Sequence, residues 1–145
     1  MTMILRAAKR LSPVLIGTLI FSTLSCSMSK DRGTAQKAVE TFHGQFNQER
    51  YHDIFAEADE DFKKVTSEEE LATFLSAVHR KLGNVKNSDQ TGWHVNYTPS
   101  GTVVTLGYNS EFDEGKATEQ FIWRVSGDKA TLLRYDINSP TLITK

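Results

Sequence analysis

The chain has 145 residues with 17 basic and 18 acidic side chains and a single cysteine. That length supports one principal core, and one cysteine excludes an internal disulfide. The near-neutral charge argues against nucleic acid, whose binding rests on phosphate neutralisation.

The first element is a basic start (Arg6, Lys9, Arg10), an apolar run from Leu11 to Leu24, then Ser25-Cys26, with no acidic residue from Met1 to Ser25. This is the pattern of a secretory signal. A membrane-spanning helix needs about 20 apolar residues, and this run is shorter and interrupted by Ser12, Pro13, Gly17, Thr18, Ser22 and Thr23. A plain cleaved signal would leave a reactive thiol in an oxidising compartment. The segment "STLSC" resembles the lipobox of bacterial lipoproteins, departing from it at Thr23, where leucine is usual. The resemblance implies an acylated Cys26 as the first mature residue. Ser27, in place of aspartate, then implies the outer membrane, facing the periplasm. Multiple acyl chains would hold such a chain firmly.

The organisation expected is therefore a lipoprotein signal peptide over 1–25, a tether over 26–33 and a single α+β domain over 34–145. The signal holds three of the 17 basic residues, which leaves 14 against 18 acidic ones, about −4. No polybasic patch remains to hold anionic headgroups. The polar stretch Ser27–Gly33 reaches at most about 25 Å if extended.

A first helix is predicted from Thr34 to Glu49, where Ala35, Ala38, Val39, Phe42 and Phe46 recur at steps of three and four. A short second helix follows from Arg50 to Ala58, with Tyr51, Ile54 and Phe55 on one side. The acidic cluster Glu57, Asp59, Glu60 and Asp61 reads as a solvated turn. The third helix opens with a capping box of Ser67 and Glu70. Its acidic start and basic end suit the helix dipole. Leu71, Phe74, Leu75, Val78 and Leu82 form its buried stripe, and Gly83 is placed to cap it.

Beyond Gly83 the period changes to two. Trp93, Val95 and Tyr97 alternate with polar residues up to the turn Thr98-Pro99-Ser100-Gly101. Val104, Leu106, Tyr108 and Phe112 follow, then a turn near Asp113-Glu114-Gly115. Phe121, Trp123 and Val125 lead through Ser126-Gly127-Asp128-Lys129 to Leu133, Tyr135 and Ile137. Short connections predict a four-stranded antiparallel meander with one wet face and three N-terminal helices on the other, an α+β domain. On that pattern Leu75→Asp and Phe74→Asp would unfold the domain, and His94→Glu would be nearly neutral.

This order, with "LSAVHRKLG" closing the third helix and "LLRYDINS" as the last strand, resembles small bacterial lipoproteins in domain-of-unknown-function families. The resemblance covers about residues 34–140 and implies the cone-shaped superfold of nuclear transport factor 2 and the cystatin-like proteins. That superfold hosts enzymes, binders and scaffolds alike.

No catalytic motif emerges, and no cofactor is expected. His43, His52, His79 and His94 are scattered without metal-ligand spacing. There is no nucleophile elbow, phosphate loop or calcium loop. The most suggestive constellation is aromatic: by strand parity Trp93, Tyr97, Tyr108, Trp123 and Tyr135 share one face. They would either line a pocket for a small apolar ligand or fill the core. An enzyme would need an acid or base there, for which Glu119 and His43 are the candidates. Position alone makes Glu119 a residue of an exposed strand start and His43 a helix-flank residue. On the other face Arg124, Arg134 and Asp136 read as solvated charges, and Ile122 and Leu132 as a docking surface for an envelope partner. The expectation is a membrane-anchored, non-enzymatic binding or scaffold module of the envelope, the alternative a small isomerase- or dehydratase-like enzyme.

Overall fold

The computed structural model describes residues 22–143, with side chains from Ser27 onward. The signal segment up to residue 21 lies outside the described residues. Helices precede strands: α1 (Ser22–Asn47), α2 (Tyr51–Ala56), α3 (Glu60–Val65), α4 (Glu68–Leu82), β1 (Val85–Thr98), β2 (Gly101–Phe112), β3 (Gly115–Ser126), β4 (Lys129–Asn138) and a last turn, α5 (Pro140–Ile143). The sheet is an antiparallel meander in the order β1-β2-β3-β4. Its hairpins close on Pro99-Ser100, Asp113-Glu114 and Gly127-Asp128.

Five helices stand where three were expected. The acidic cluster is not a solvated turn: Asp59 is buried and caps α3 through the Asp61 amide. The Arg124 guanidinium donates to Asp59 at 2.5 Å and to Asp61 at 2.9 Å, and the Thr131 hydroxyl donates to Asp59 at 2.8 Å. Arg124 is therefore a clamp between β3 and α3 and not a solvated charge, whereas Arg134 and Asp136 do pair with each other on the surface. Residues 27–33 lie within α1 and are helical, not extended. At about 1.5 Å per residue their reach falls to roughly 10 Å.

α4 has the expected capping box, and the Gly83 amide donates to the His79 carbonyl at 2.8 Å. Gly83 has φ 74, and a Cβ there would meet Asp113 at 2.7 Å. Leu71, Leu75, Val78 and Leu82 are buried, but Phe74 leaves the stripe and is 43% exposed.

Three one-residue register shifts bend the sheet, at Lys86 and Thr91 in β1 and at Leu133 in β4. A bulge adds one residue to one strand and so reverses parity beyond it. This reverses the expectation for Leu132, which pairs with Trp123 and is a core residue, 2% exposed, not part of an exposed docking face. The core itself lies between α1, α2, α4 and the inner face of β2–β4, with Phe46, Phe121, Leu75 and Leu106 fully enclosed. Asn47 locks α1 to the sheet: its side-chain amide donates to the Val85 carbonyl at 2.9 Å and accepts from the Val85 amide at 2.8 Å.

Candidate functional site: a buried carboxylate and three surface grooves

Pairing of Tyr108 with Glu119, and of Phe121 with Tyr135, puts one carboxylate on the inner face of an otherwise aromatic layer. Glu119 is not an exposed strand-start residue: its side chain is 1% exposed. Nor is His43 a helix flank. It follows Val39 by four positions on the stripe of α1, and its side chain is 11% exposed.

The His43 Nε2–H donates to Glu119 Oε2 at 2.9 Å. An ionised carboxylate only accepts, so that nitrogen carries the proton. The Ser110 hydroxyl also donates to Oε2. The Tyr135 phenol donates to Oε1 at 2.7 Å. Four elements, α1, β2, β3 and β4, thus meet on one carboxylate. Burial alone pushes the Glu119 carboxyl up, but the His43 hydrogen bond and charge, with Ser110 and Tyr135, outweigh it and hold the group below its ordinary value. The Tyr135 phenol is raised well above its ordinary value by burial and then by the Glu119 charge. It stays a donor at neutral pH.

The five aromatic residues singled out by parity do not form one pocket. Tyr108, Trp123 and Tyr135 gather around Phe121, with ring centroids 6.0, 6.0 and 4.9 Å away. Phe42 closes that cluster from α1, 5.1 Å from Phe121 and 4.8 Å from Tyr135. Trp93 and Tyr97 share the face, opposite Leu106 and Thr102, but stand 47% and 49% exposed beyond the helical cover. The Arg32 guanidinium lies 5.0 Å over the Trp93 ring.

Grooves open at the surface of the described residues. One, of about 490 Å³, lies between α1, α2 and the β3–β4 hairpin, with Phe42, Ile54, Trp123 and Leu132 as its apolar lining and Lys37 and Lys129 among its polar residues. The Trp123 indole N–H is buried without a hydrogen-bond partner among the described residues. A second, of about 520 Å³, is polar and runs over the outer sheet face past Asp89, Asn109, Glu111 and Lys116. A third, of about 370 Å³, lies among Phe62 and Val65 of α3, Phe74 of α4 and Tyr135. Glu119 and His43 line none of the three. Among the described residues no group of three or more His, Cys, Asp or Glu could hold a metal ion, and no helix is long and apolar enough to cross a membrane.

Sequence reasoning named Glu119 and His43 and set them aside, and it missed Ser110 and Phe121 as their partners. The signal was present: Ser110 shares parity with Tyr108 and Phe112 on β2, as Glu119 does with Phe121 on β3.

The molecule is thus a small α+β domain with an inner carboxylate locked in an aromatic core and grooves on its surface. The chain belongs to the family of proteins of unknown function DUF4019, which matches residues 38–132. That match takes in His43, Ser110 and Glu119 and stops before Tyr135. No curated protein matches the sequence.

Proposed function

We propose that the chain is a lipoprotein of the bacterial cell envelope, acylated at Cys26 and held at the outer membrane facing the periplasm, and that it works as a binding module. The groove between α1, α2 and the β3–β4 hairpin is its ligand site. The observation that carries this is the hollow itself, about 490 Å³ in volume, with Phe42, Ile54, Trp123 and Leu132 behind it and Lys37, Lys129, Glu57 and Asp128 among its polar lining. A hollow of this size backed by apolar side chains suits a small apolar ligand. The cone-shaped, cystatin-like reading of the fold belongs to the same proposal, supported by the antiparallel meander with its three register shifts and by the packing of α1 on its inner face.

The naphthalene dye anilinonaphthalene sulfonate is the probe. Its emission should rise on the native chain and quench Trp123, and Ala38→Trp, which fills the groove, should abolish the rise without lowering the melting temperature. An unchanged rise in Ala38→Trp would remove the groove from the proposal. The anchor is checked by metabolic labelling with a palmitate analogue, which Cys26→Ala should abolish.

One observation favours the alternative, a small isomerase- or dehydratase-like enzyme: the His43–Glu119 pair beside the Tyr135 phenol. It ranks second because both carboxylate oxygens are already engaged and the pair lines none of the grooves described. A general base needs a substrate proton within hydrogen-bond reach.

A further inference from the structure

The course of α1 over the sheet says which end of the molecule the lipid would occupy. Gln36 donates to the Gln90 side chain, Arg32 stacks on Trp93, and Asn47 binds the Val85 backbone. Helix numbers fall as strand numbers rise, so α1 runs antiparallel to β1. Six residues separate Arg32 from Cys26, about 9 Å of helix. That is close to three residues of strand at roughly 3.3 Å each. Continued along the same line, the backbone at Cys26 comes level with Asn96 and Tyr97, beside the β1–β2 turn. Lys30 meanwhile pairs with Asp128 in the β3–β4 turn at 3.0 Å. The two hairpin turns and the start of α1 therefore share one end of the domain.

That end carries the two large aromatic residues of the sheet that stay about half exposed, Trp93 and Tyr97. Both have an apolar ring and a polar tip, the combination enriched where protein meets the headgroup region of a bilayer. Arg32 covers one face of Trp93, and Lys30 and Lys129 are exposed around the β3–β4 turn. Long basic side chains lay their stems on apolar surface while their heads stay in the polar layer.

We infer that Trp93 and Tyr97 form a second membrane contact, seated in the phospholipid interface beside the acylated cysteine, so that the domain stands on the bilayer by this end. The inference rests on the lipid-anchor reading and adds an orientation to it. The acyl chains supply the attachment. The aromatic pair fixes which end of the domain meets the bilayer.

The test uses the acylated full chain on vesicles of phosphatidylethanolamine and phosphatidylglycerol whose acyl chains are brominated, which quench tryptophan on contact. The chain should float with the vesicles and lose the Trp93 part of its emission, leaving that of Trp123, which is 5% exposed within the core. Trp93→Phe should float equally and show no quenching. In the native chain, quenching by aqueous acrylamide should weaken on vesicle binding. Flotation with Trp93 unquenched and still open to acrylamide overturns the inference and leaves the anchor standing. Quenching that persists in Trp93→Phe also overturns it. A chain that does not float overturns the anchor and the inference together.

Discussion

The Glu119 carboxylate is the point on which four elements converge, and its chemistry makes two expectations concrete. Its carboxyl titrates below the ordinary 4.5 in the fold. The stability it contributes is therefore fully present above that ordinary value and is lost as pH falls through the lowered native value. Glu119→Gln keeps the volume but removes the charge and leaves three donors competing for one oxygen. Breaking a buried pair of this kind costs about 3–5 kcal/mol, to be read from urea unfolding at neutral pH. The acid side of the stability profile should also flatten; equal slopes for the two proteins would show that this carboxyl is not what titrates. Tyr135→Phe is subtler, because it only strips the donor from Glu119 Oε1. A buried acceptor left unsatisfied costs about 1–3 kcal/mol, and the same unfolding experiment should resolve it from Glu119→Gln.

Among the elements, β4 carries the clearest contrast. The bulge at Leu133 turns Leu132 inward against Trp123, while Leu133 keeps partial exposure. Leu132→Ala should cost about 2–5 kcal/mol and Leu133→Ala clearly less; the opposite order in urea unfolding would move the bulge. Helix α4 offers the companion test. Leu75→Asp places an unpaired charge at a site with no exposure and should unfold the domain, whereas His94→Glu, on the exposed face of β1, should be nearly neutral. Phe74→Asp is now expected to be milder, since that ring is 43% exposed. These elements also mark what was legible beforehand. Helix α4 was read almost to the residue because its caps and its stripe are local. Helix α3 was not, because its six residues look like an acidic turn and are fixed by Arg124 and Thr131, 63 to 72 positions away. The first half of β1 is polar on both faces, so no alternation betrays it. A bulge leaves no mark in composition, and parity carried across it misplaced Leu132. The same parity argument grouped Trp93 and Tyr97 correctly by face, but it could not say where helical cover ends.

For the molecule as a whole, the decisive departure from expectation is the continuity of α1, which runs from Ser22 to Asn47 without a break. The weak point of its amino-terminal half is Gly33, where an added methyl would meet nothing within 4 Å. Gly33→Ala should stabilise the amino-terminal half of α1 by up to about 1 kcal/mol, visible as slower amide hydrogen exchange over residues 27–36. Unchanged exchange there would mean that this half is held by Arg32, Gln36 and Lys30 and not by helix propensity. Under the lipid attachment proposed at Cys26, the continuity has a mechanical consequence. A slack linker would absorb the jostling of the bilayer, but a stiff rod does not. It acts as a lever whose far arm is the core: tilt at the membrane end is delivered, undamped, to Phe42 and Phe46.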